Sequence, residues 1–240
     1  MAPFTLTRFH MYRIKSIIFT GLIMGFLFAG VKSGNAQETD FGAWVALDIK
    51  KDITRKFSLE LEEEVRVFRD FGEFDRVSTS LSAEYALVKW LKAGVGYAWI
   101  YNHKVKSDTW DHRHRYFLFL QGKYKLGRMD VSLRERFQST FYDEDVSGFE
   151  YGHKNYLRSR LQVAYDIPAN KTEPYASAEM YYSLNKTGGN EVNAMRYTLG
   201  VEFPVSGKLD LDTYLRLDQE RNVKNPISLF VAGVNFKLDL

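Results

Sequence analysis

The residues of this sequence that could perform nucleophilic chemistry are a serine and a histidine in neighbouring segments. Ser139 lies in the stretch LRERFQSTF and His114 in the stretch DHRHRYF. If Leu126 and Gly127 form the two-residue turn between these segments, Ser139 falls directly opposite His114. A histidine beside a serine can accept the hydroxyl proton and so activate the oxygen for attack on an ester. Glu135 is a candidate to orient the histidine, and the three residues together are candidates for a hydrolytic site.

Both segments alternate apolar and polar side chains, which is the period of a β-strand with two different faces. The C-terminal stretch FVAGVNFKLDL shows the pattern most regularly, because every second residue from Phe230 to Leu240 is apolar. The sequence therefore predicts an all-β protein. We count eleven such segments, at about 41–51, 56–68, 74–87, 90–102, 112–125, 128–141, 154–167, 173–185, 192–203, 208–220 and 227–240.

The connections between the segments alternate in length. Short ones such as LGR and PVSGK are followed by longer, polar ones such as YDEDVSGFEYGH. Short turns at one end and long loops at the other are typical of antiparallel up-and-down β-barrels that cross the bacterial outer membrane. Because single-chain bacterial barrels have even strand numbers, the eleven segments predict a transmembrane barrel of about 12 strands, with 10 as the alternative.

Alternation alone does not say which face of the barrel is inside. A soluble lipocalin-like carrier would turn its apolar face inward around a ligand. The large number of Leu, Phe, Tyr and Trp side chains would overfill a small barrel interior, whereas a lipid-facing band accommodates them easily. We therefore expect the apolar face to be outward and the polar face to line the lumen, and the soluble carrier stays as the alternative.

The first 36 residues differ from the rest. They hold four basic residues, no acidic residue and an apolar stretch from Ile17 to Ala29. This is the pattern of a secretory signal peptide, so we expect residues 1–36 to be cleaved and residues 37–240 to form the barrel. Without the first 36 residues, basic and acidic residues nearly balance, which gives no indication of nucleic-acid binding. The absence of cysteine excludes thiol catalysis and disulfides.

The inward face predicted from this alternation is rich in charge. An acidic row lies on the second segment, and arginines dominate the later ones. In a closed barrel, the two groups would lie on opposing walls and could pair across the lumen, since the arginine fork suits carboxylates. The predicted lumen residues are Glu60, Glu62, Glu64, Arg134, Arg136, Arg158, Arg160, Glu179, Arg196 and Arg216. These charged residues have two interpretations. They form ion pairs that simply fill the lumen, or they line a path for a solute.

Two loops offer further, less specific sites. The loop YDEDVSGFE holds Asp143 and Asp145, whose oxygens could bind calcium, although the spacing is not that of an EF-hand and a solvated loop explains it equally. The stretch NHKVKSDTWDHRHR is basic and could contact lipopolysaccharide phosphates. Phosphate-binding glycine loops, zinc motifs and nucleophile elbows do not occur in the sequence. We expect no cofactor.

The stretches DFGAWVALDIKKDITRKFSLELEEEVR, EYALVKWLKAGVGYAWIYN, YKLGRMDVSLRERFQ, YLRSRLQVAYDI, EPYASAEMYYSL and MRYTLGVEF resemble a family of predicted outer-membrane barrels of Gram-negative bacteria, classed as a domain of unknown function. The resemblance extends over about residues 40–240. It implies the fold and an outer-membrane location. It implies no activity, substrate or catalytic residue. Separately, the terminal strand closes on an apolar residue, Leu240 in place of the usual aromatic, which predicts insertion by the barrel-assembly machinery.

The expected function is accordingly that of an outer-membrane barrel, either structural or a narrow small-solute path with a charged, largely plugged lumen. Its expected partners are outer-membrane lipid and lipopolysaccharide. One alternative is an outer-membrane lipid-ester hydrolase that uses Ser139 and His114. The competing interpretation of these two residues is that they lie at the rim of the barrel, at the level of the lipid headgroups, and have no catalytic role. The other alternative is the soluble lipocalin-like carrier.

Overall fold

The computed structural model describes residues 38–104, 107–143, 152–168 and 171–240, and β-strands account for most of them. No helix in these ranges is long and apolar enough to span a membrane. The strands of the described residues are β1 (Glu38–Asp52), β2 (Phe57–Phe68), β3 (Glu73–Val88), β4 (Leu91–Lys104), β5 (Thr109–Leu126), β6 (Met129–Tyr142), β7 (His153–Tyr165), β8 (Glu173–Ser183), β9 (Val192–Pro204), β10 (Leu209–Glu220) and β11 (Ile227–Asp239).

The strands close into a barrel in which each strand pairs with the next one along the chain, and β11 pairs with β1. Consecutive strands are antiparallel, whereas β1 and β11 run parallel from the pair Glu38 and Ile227 to the pair Lys50 and Asp239. The eleven alternating segments are therefore the eleven strands. The prediction of 12 strands, or of 10, is wrong because an even number is required only when every neighbouring pair, including the closing pair, is antiparallel.

The two ends of the barrel are named here by their connections. The short-turn end carries the connections β1–β2, β3–β4, β5–β6, β7–β8 and β9–β10, and the long-loop end carries the others. Because β1 and β11 are parallel, both finish at the short-turn end, where the backbone N–H of Leu240 donates a 2.9 Å hydrogen bond to the carbonyl oxygen of Lys50.

The tight turn between β5 and β6 decides which residues of these strands face each other. Leu126 pairs with Met129, so the two turn residues are Gly127 and Arg128. Gly127 has a φ of 62°, which a glycine at the first central position of a hairpin turn adopts without steric cost. The predicted turn, Leu126 with Gly127, is wrong by one residue, and the pairing of the two strands is consequently shifted by two.

The two faces of the barrel differ in chemistry as predicted. Large apolar side chains point outward at mid-depth, including Leu118 (56% exposed) and Val95 (59% exposed). Inward positions carry most of the buried polar and charged residues, among them Glu64, Arg158 and Glu179. A carrier with an apolar ligand cavity needs the opposite arrangement of faces.

Glycines make room for rings inside the barrel. Four inward aromatic side chains occupy the space above a glycine directly opposite on the neighbouring strand, where even a Cβ atom would collide with the ring. Aromatic side chains that cover cross-strand glycines stabilise strongly curved sheets. The pairs are Phe119 with Gly94, Phe117 with Gly96, Tyr175 with Gly200 and Tyr214 with Gly233.

Replacing Gly94 by valine should destabilise the barrel, because the new side chain must displace the Phe119 ring or the nearby backbone of Ala83. We expect a loss of about 1–3 kcal/mol in the free energy of unfolding, as for other overpacked interiors. Denaturant titration of the folded protein measures it. Gly207→Val is the matched control, since a Cβ at Gly207 meets nothing within 4 Å. Equal stability of the two variants would contradict the packing role of Gly94.

Candidate functional site

A tryptophan at the centre of the lumen is surrounded by arginines. Trp44 of β1 points inward and is 3% exposed. The guanidinium carbons of Arg66, Arg216 and Arg196 lie 3.6, 4.7 and 5.0 Å from the centroid of its ring. Cations over the face of a tryptophan are attracted by the ring quadrupole, more strongly when water is excluded. The Trp44 ring therefore stabilises three guanidinium groups whose burial in an aliphatic interior would be costly.

The large ring of Trp44 packs beside the strands that close the barrel. The residue opposite Trp44 on the parallel strand β11 is Gly233, which also faces Tyr214 on β10. Trp44 and Tyr214 form a buried apolar cluster with Val231, and Leu229 packs against it. We call Trp44, Tyr214 and Val231 the tryptophan layer. It lies across the seam where β1 and β11 close the barrel.

A second group of contacts surrounds Glu179 on β8, which is 2% exposed. Arg158 donates hydrogen bonds to both carboxylate oxygens, at 3.2 Å from Nε and 2.8 Å from Nη2. Arg134 donates a further bond of 3.3 Å, and Nη1 of Arg196 lies 3.8 Å from the carboxylate. Three guanidinium groups thus share one carboxylate, and we call these four residues the Glu179 network.

Two arginines of the Glu179 network, Arg196 and Arg158, donate hydrogen bonds to further acceptors. Arg196 donates to both oxygens of Asp218, at 2.7 Å from Nε and 2.6 Å from Nη2. Arg158 donates a 2.9 Å bond to the side-chain oxygen of Gln138, and its guanidinium carbon lies 4.4 Å from the centre of the Tyr181 ring. Such bidentate arginine contacts are rigid as well as strong, so the network fixes β7, β8, β9 and β10 relative to one another.

Other arginines of the lumen lack a carboxylate. Neither Arg136 nor Arg160 has an acidic group of the described residues within ion-pair distance, and the Nε atoms of Arg134, Arg136 and Arg160 are buried without a hydrogen-bond partner. Arg136 lies against Phe117, with its guanidinium carbon 4.3 Å from the ring centroid. Unpaired buried cations of this kind are unusual in a protein interior.

The predicted acidic row does not pair with these arginines. Glu64 is bound by Arg66 of its own strand, whose Nε donates a 2.6 Å bond. Glu60 and Glu62 instead lie beside Asp48 of β1, and one oxygen from each of the three falls within 4.8 Å of the others. Within the described ranges, none of the three forms an ion pair. Arg134 of β6 and Arg158 of β7 bind Glu179 of β8 instead, and the predicted pairing across the lumen is wrong.

Between the two uncompensated groups lies a cavity of about 270 Å³. It lies mainly in the half of the lumen toward the short-turn end, and the Glu179 network contributes to its lining. Asp48 and Glu62 of β1 and β2 line one side of it, and Arg134 and Arg160 of β6 and β7 line another. The lumen is therefore largely filled but contains a polar chamber with walls of opposite charge.

Residues near the short-turn end of the cavity form a closed cluster. Lys237 of β11 forms ion pairs with Glu202 and, at 3.5 Å, with Asp212. The Tyr175 hydroxyl donates a 3.0 Å hydrogen bond to Asp212. Sequence reasoning did not single out Trp44, Asp48, Tyr175 or Lys237 as lumen residues. The same two-residue alternation that identified Glu60 and Arg134 contained the signal for each of them.

The proposed hydrolytic residues are not brought together as predicted. Because the turn is shifted, Ser139 faces Tyr116 on β5 and His114 faces Phe141 on β6. Ser139 and His114 are therefore diagonal neighbours, a relation that ordinarily separates Cα atoms by about 7–8 Å. The Nδ1 atom of His114 is hydrogen-bonded to the hydroxyl of Tyr97 at 2.7 Å. The predicted direct pairing of Ser139 with His114 is wrong.

Two carboxylates point outward among apolar side chains, and each has a hydroxyl partner directly opposite it. Ser159 donates a 2.6 Å hydrogen bond to Glu135, and Thr79 donates a 3.0 Å bond to Glu63. Glu135 therefore binds β7 and does not orient His114. A carboxylate on an apolar surface costs less when a neighbouring strand satisfies it in this way.

The loop predictions have mixed outcomes. Asp143 accepts a 2.8 Å hydrogen bond from the backbone N–H of His112, while Asp145 and Lys106 lie outside the described residues. Arg113 points inward and binds Asp111, and Arg115 donates a 3.1 Å bond to Thr140 in the lumen. These two arginines therefore contribute no outward basic surface, and contact of the remaining basic residues with lipopolysaccharide phosphates stays a prediction.

Comparisons with known proteins add a family and a distant structural neighbour. Residues 41–226 match the profile of a family described as "Protein of unknown function (DUF2490)". The search of curated proteins gives no match. Among solved structures, the chain is similar to a bacterial polysaccharide outer membrane secretin, with 15% identity and a TM-score of 0.42 over 73% of this chain and 72% of that one.

Replacing Glu179 by glutamine should destabilise the barrel strongly, because three buried guanidinium groups lose their shared carboxylate. We expect a loss of about 3–5 kcal/mol in the free energy of unfolding, measured by denaturant titration. Glu84→Gln is the control, since Glu84 also faces the lumen but pairs with the half-exposed Lys92 at 3.5 Å. That change should cost at most about 1 kcal/mol. Similar losses for both would refute the central role of Glu179.

Proposed function

The chain belongs to the DUF2490 family of proteins of unknown function, and we propose that it is an outer-membrane β-barrel of a Gram-negative bacterium with a narrow, normally closed path for small polar solutes. The observation that carries this proposal is the distribution of side chains over the two faces of the closed barrel. Apolar residues cover the outside and charged residues fill the inside, which is the reverse of a water-soluble barrel.

The outer surface supports a membrane environment. Around mid-depth, Leu118, Val95, Leu161 and Leu215 each leave at least half of their surface exposed. Apolar residues of this kind occur on strands all round the barrel, whereas soluble monomers rarely expose contiguous apolar patches larger than a few hundred Å². Lipid acyl chains would cover this band at no cost, since they are as apolar as leucine.

Aromatic residues are placed near both ends of the barrel. Tyr85, Trp90 and Tyr124 are exposed toward the short-turn end, and Trp99 and Trp110 toward the long-loop end. Tyrosine and tryptophan are favoured at the two membrane–water interfaces because the ring is apolar and its edge carries a hydrogen-bonding group. These two groups of aromatic residues support a position in the membrane in which the short-turn end is periplasmic.

Export and insertion complete the proposal. The secretory signal expected at residues 1–36 lies outside the described residues, and it would direct the chain across the inner membrane. The barrel-assembly machinery would then insert the strands, with outer-membrane lipid and lipopolysaccharide as the surrounding partners. An enzymatic role receives no support from the geometry of Ser139 and His114.

The interior supports a path that is closed in this state. The tryptophan layer and the Glu179 network fill the middle of the lumen, with Trp44, Val231 and Glu179 each at most 3% exposed. The cavity lies mainly toward the short-turn end, where solutes would enter from the periplasm. The shape of the lumen therefore supports a narrow path that opens when side chains move. It does not support a wide, water-filled pore.

Replacing Leu118 by arginine tests the membrane position. At mid-depth of a lipid-facing strand, arginine costs about 2–4 kcal/mol, so folding into lipid vesicles should be weakened by that amount. The variant Leu87→Arg, which places the charge near the short-turn end, should cost at most about 1 kcal/mol. Folding is followed by the difference in gel mobility between unboiled and boiled samples. If Leu118→Arg folds as readily as the parent and stays in the soluble fraction of cells, the proposal fails.

Replacing Trp44 by alanine should open the lumen. The change removes the largest ring of the tryptophan layer, and we expect single-channel conductance in planar bilayers to rise at least about threefold over the parent protein. Arg160→Ala is the comparison, because Arg160 lines space that is already a cavity and its loss should change conductance less. If neither variant conducts more than the parent, a structural barrel without a path is the better explanation.

A further inference from the structure

We propose that the lumen cavity binds a small zwitterion, a molecule with one carboxylate and one ammonium group such as an amino acid. This inference deepens the proposed function, on which it rests, because it names the class of solute that the lumen takes. It depends on three features of the cavity: an uncompensated positive wall, an uncompensated negative wall, and a volume that suits one small molecule.

The positive wall consists of Arg134 and Arg160 on the adjacent strands β6 and β7, and Arg216 of β10 lines the cavity elsewhere. Arg134 reaches Glu179 through a single 3.3 Å bond, and that carboxylate already receives two bonds from Arg158. Arg160 has no carboxylate of the described residues within 4.0 Å, and the hydrogen bond of Arg216 goes to the Thr198 hydroxyl at 3.1 Å. The wall therefore carries more positive charge than its carboxylate neutralises.

Orphaned donors on this wall indicate where an anionic group would bind. The Nε atoms of Arg134 and Arg160 are buried and lack a partner, and the two residues face each other on β6 and β7. A buried donor without an acceptor costs about 1–3 kcal/mol, more when it is charged. A carboxylate has two oxygens that can each accept from a guanidinium, so one ligand carboxylate could satisfy both arginines.

The negative wall lies on β1 and β2. Asp48 and Glu62 line the cavity, and Glu60 stands beside them with its carboxylate oxygen within 4.8 Å of theirs. No base of the described residues forms an ion pair with any of the three, since Lys237, which lies opposite Asp48 on β11, pairs with Glu202 and Asp212. Oδ1 of Asp48 is buried without a hydrogen-bond partner. Carboxylates so close together repel one another unless a cation or protons intervene. An ammonium group offers three donors and one positive charge to such a wall.

A ligand with both charges suits the cavity better than either charge alone. A simple anion would compensate Arg134 and Arg160 and leave the carboxylates of β1 and β2 facing one another. A simple cation would have the converse effect. Since the cavity of about 270 Å³ corresponds to roughly nine waters at about 30 Å³ each, one amino-acid-sized molecule fits with part of its hydration.

The test compares three probes on the detergent-folded barrel by isothermal titration calorimetry at neutral pH: glycine, acetate and methylammonium. We expect glycine to bind at least tenfold more tightly than either singly charged probe. Arg160→Gln should weaken glycine and acetate at least tenfold while leaving methylammonium unchanged. Asp48→Asn should weaken glycine and methylammonium while leaving acetate unchanged. Arg128→Gln, an exposed charge in the β5–β6 turn, is the control and should bind like the parent.

Two results would overturn the proposal. Glycine binding no tighter than acetate would show a plain anion site, and no binding of any probe would show a cavity that holds water alone. Each variant is first checked for folding by heat-dependent gel mobility, and Glu62→Gln replaces Asp48→Asn on the same wall if that protein does not fold. Because binding is measured in detergent, its failure leaves the membrane position untouched, which Leu118→Arg in vesicles tests separately.

Discussion

The contact between Glu179 and three arginines is the interaction on which the interior of this protein depends. Charged side chains enclosed in a barrel lose most of their hydration, which costs several kcal/mol per charge unless partners replace the water. Glu179 supplies those partners to Arg134, Arg158 and Arg196 at once, and the three arginines lie on three different strands. The same carboxylate therefore neutralises charge and ties neighbouring strands together, while Arg134, which it binds through one bond, and Arg160, which it does not bind, line one wall of the cavity.

The packing inside the barrel depends on a second constraint, which is that large aromatic side chains lie opposite glycines. Rings at Phe117, Phe119, Tyr175 and Tyr214 each cover a cross-strand glycine, so the lumen accepts bulky residues without expanding. At the seam, Gly233 leaves room for the ring of Tyr214, which packs in one cluster with Trp44. The parallel closure of β1 on β11 is thus packed from inside by the tryptophan layer. The centre of the lumen is filled there and the cavity is left mainly in the short-turn half.

Several features of the site were predictable because strand residues alternate strictly between faces. Once the apolar positions are assigned outward, the inward orientation of Glu62, Arg134 and Glu179 follows from their parity alone. Partners were not predictable in the same way. The arginine cluster was expected to meet the acidic row across the lumen. Arg158 and Arg134 instead bind Glu179, one and two strands away, because a carboxylate on the same side of the barrel is reached without bridging its width. Ser139 was placed opposite His114 because the turn was set one residue early, an error that moves every pairing of β5 and β6 by two.

What the sequence by itself determined is the set of elements and the two faces of each: eleven alternating segments became eleven strands in the described part of the chain, with apolar residues outside. Alternation is a local property, so it can be recognised in the sequence of each strand separately. Tertiary structure alone decided the closure, the register and the charge partners. The parallel seam depends on how the first and last strands meet. The register of β5 against β6 depends on which two residues form their turn. The charge balance of the cavity depends on which side chains fall within a few ångströms after closure. Such distances join residues far apart in the chain, and no local pattern encodes them.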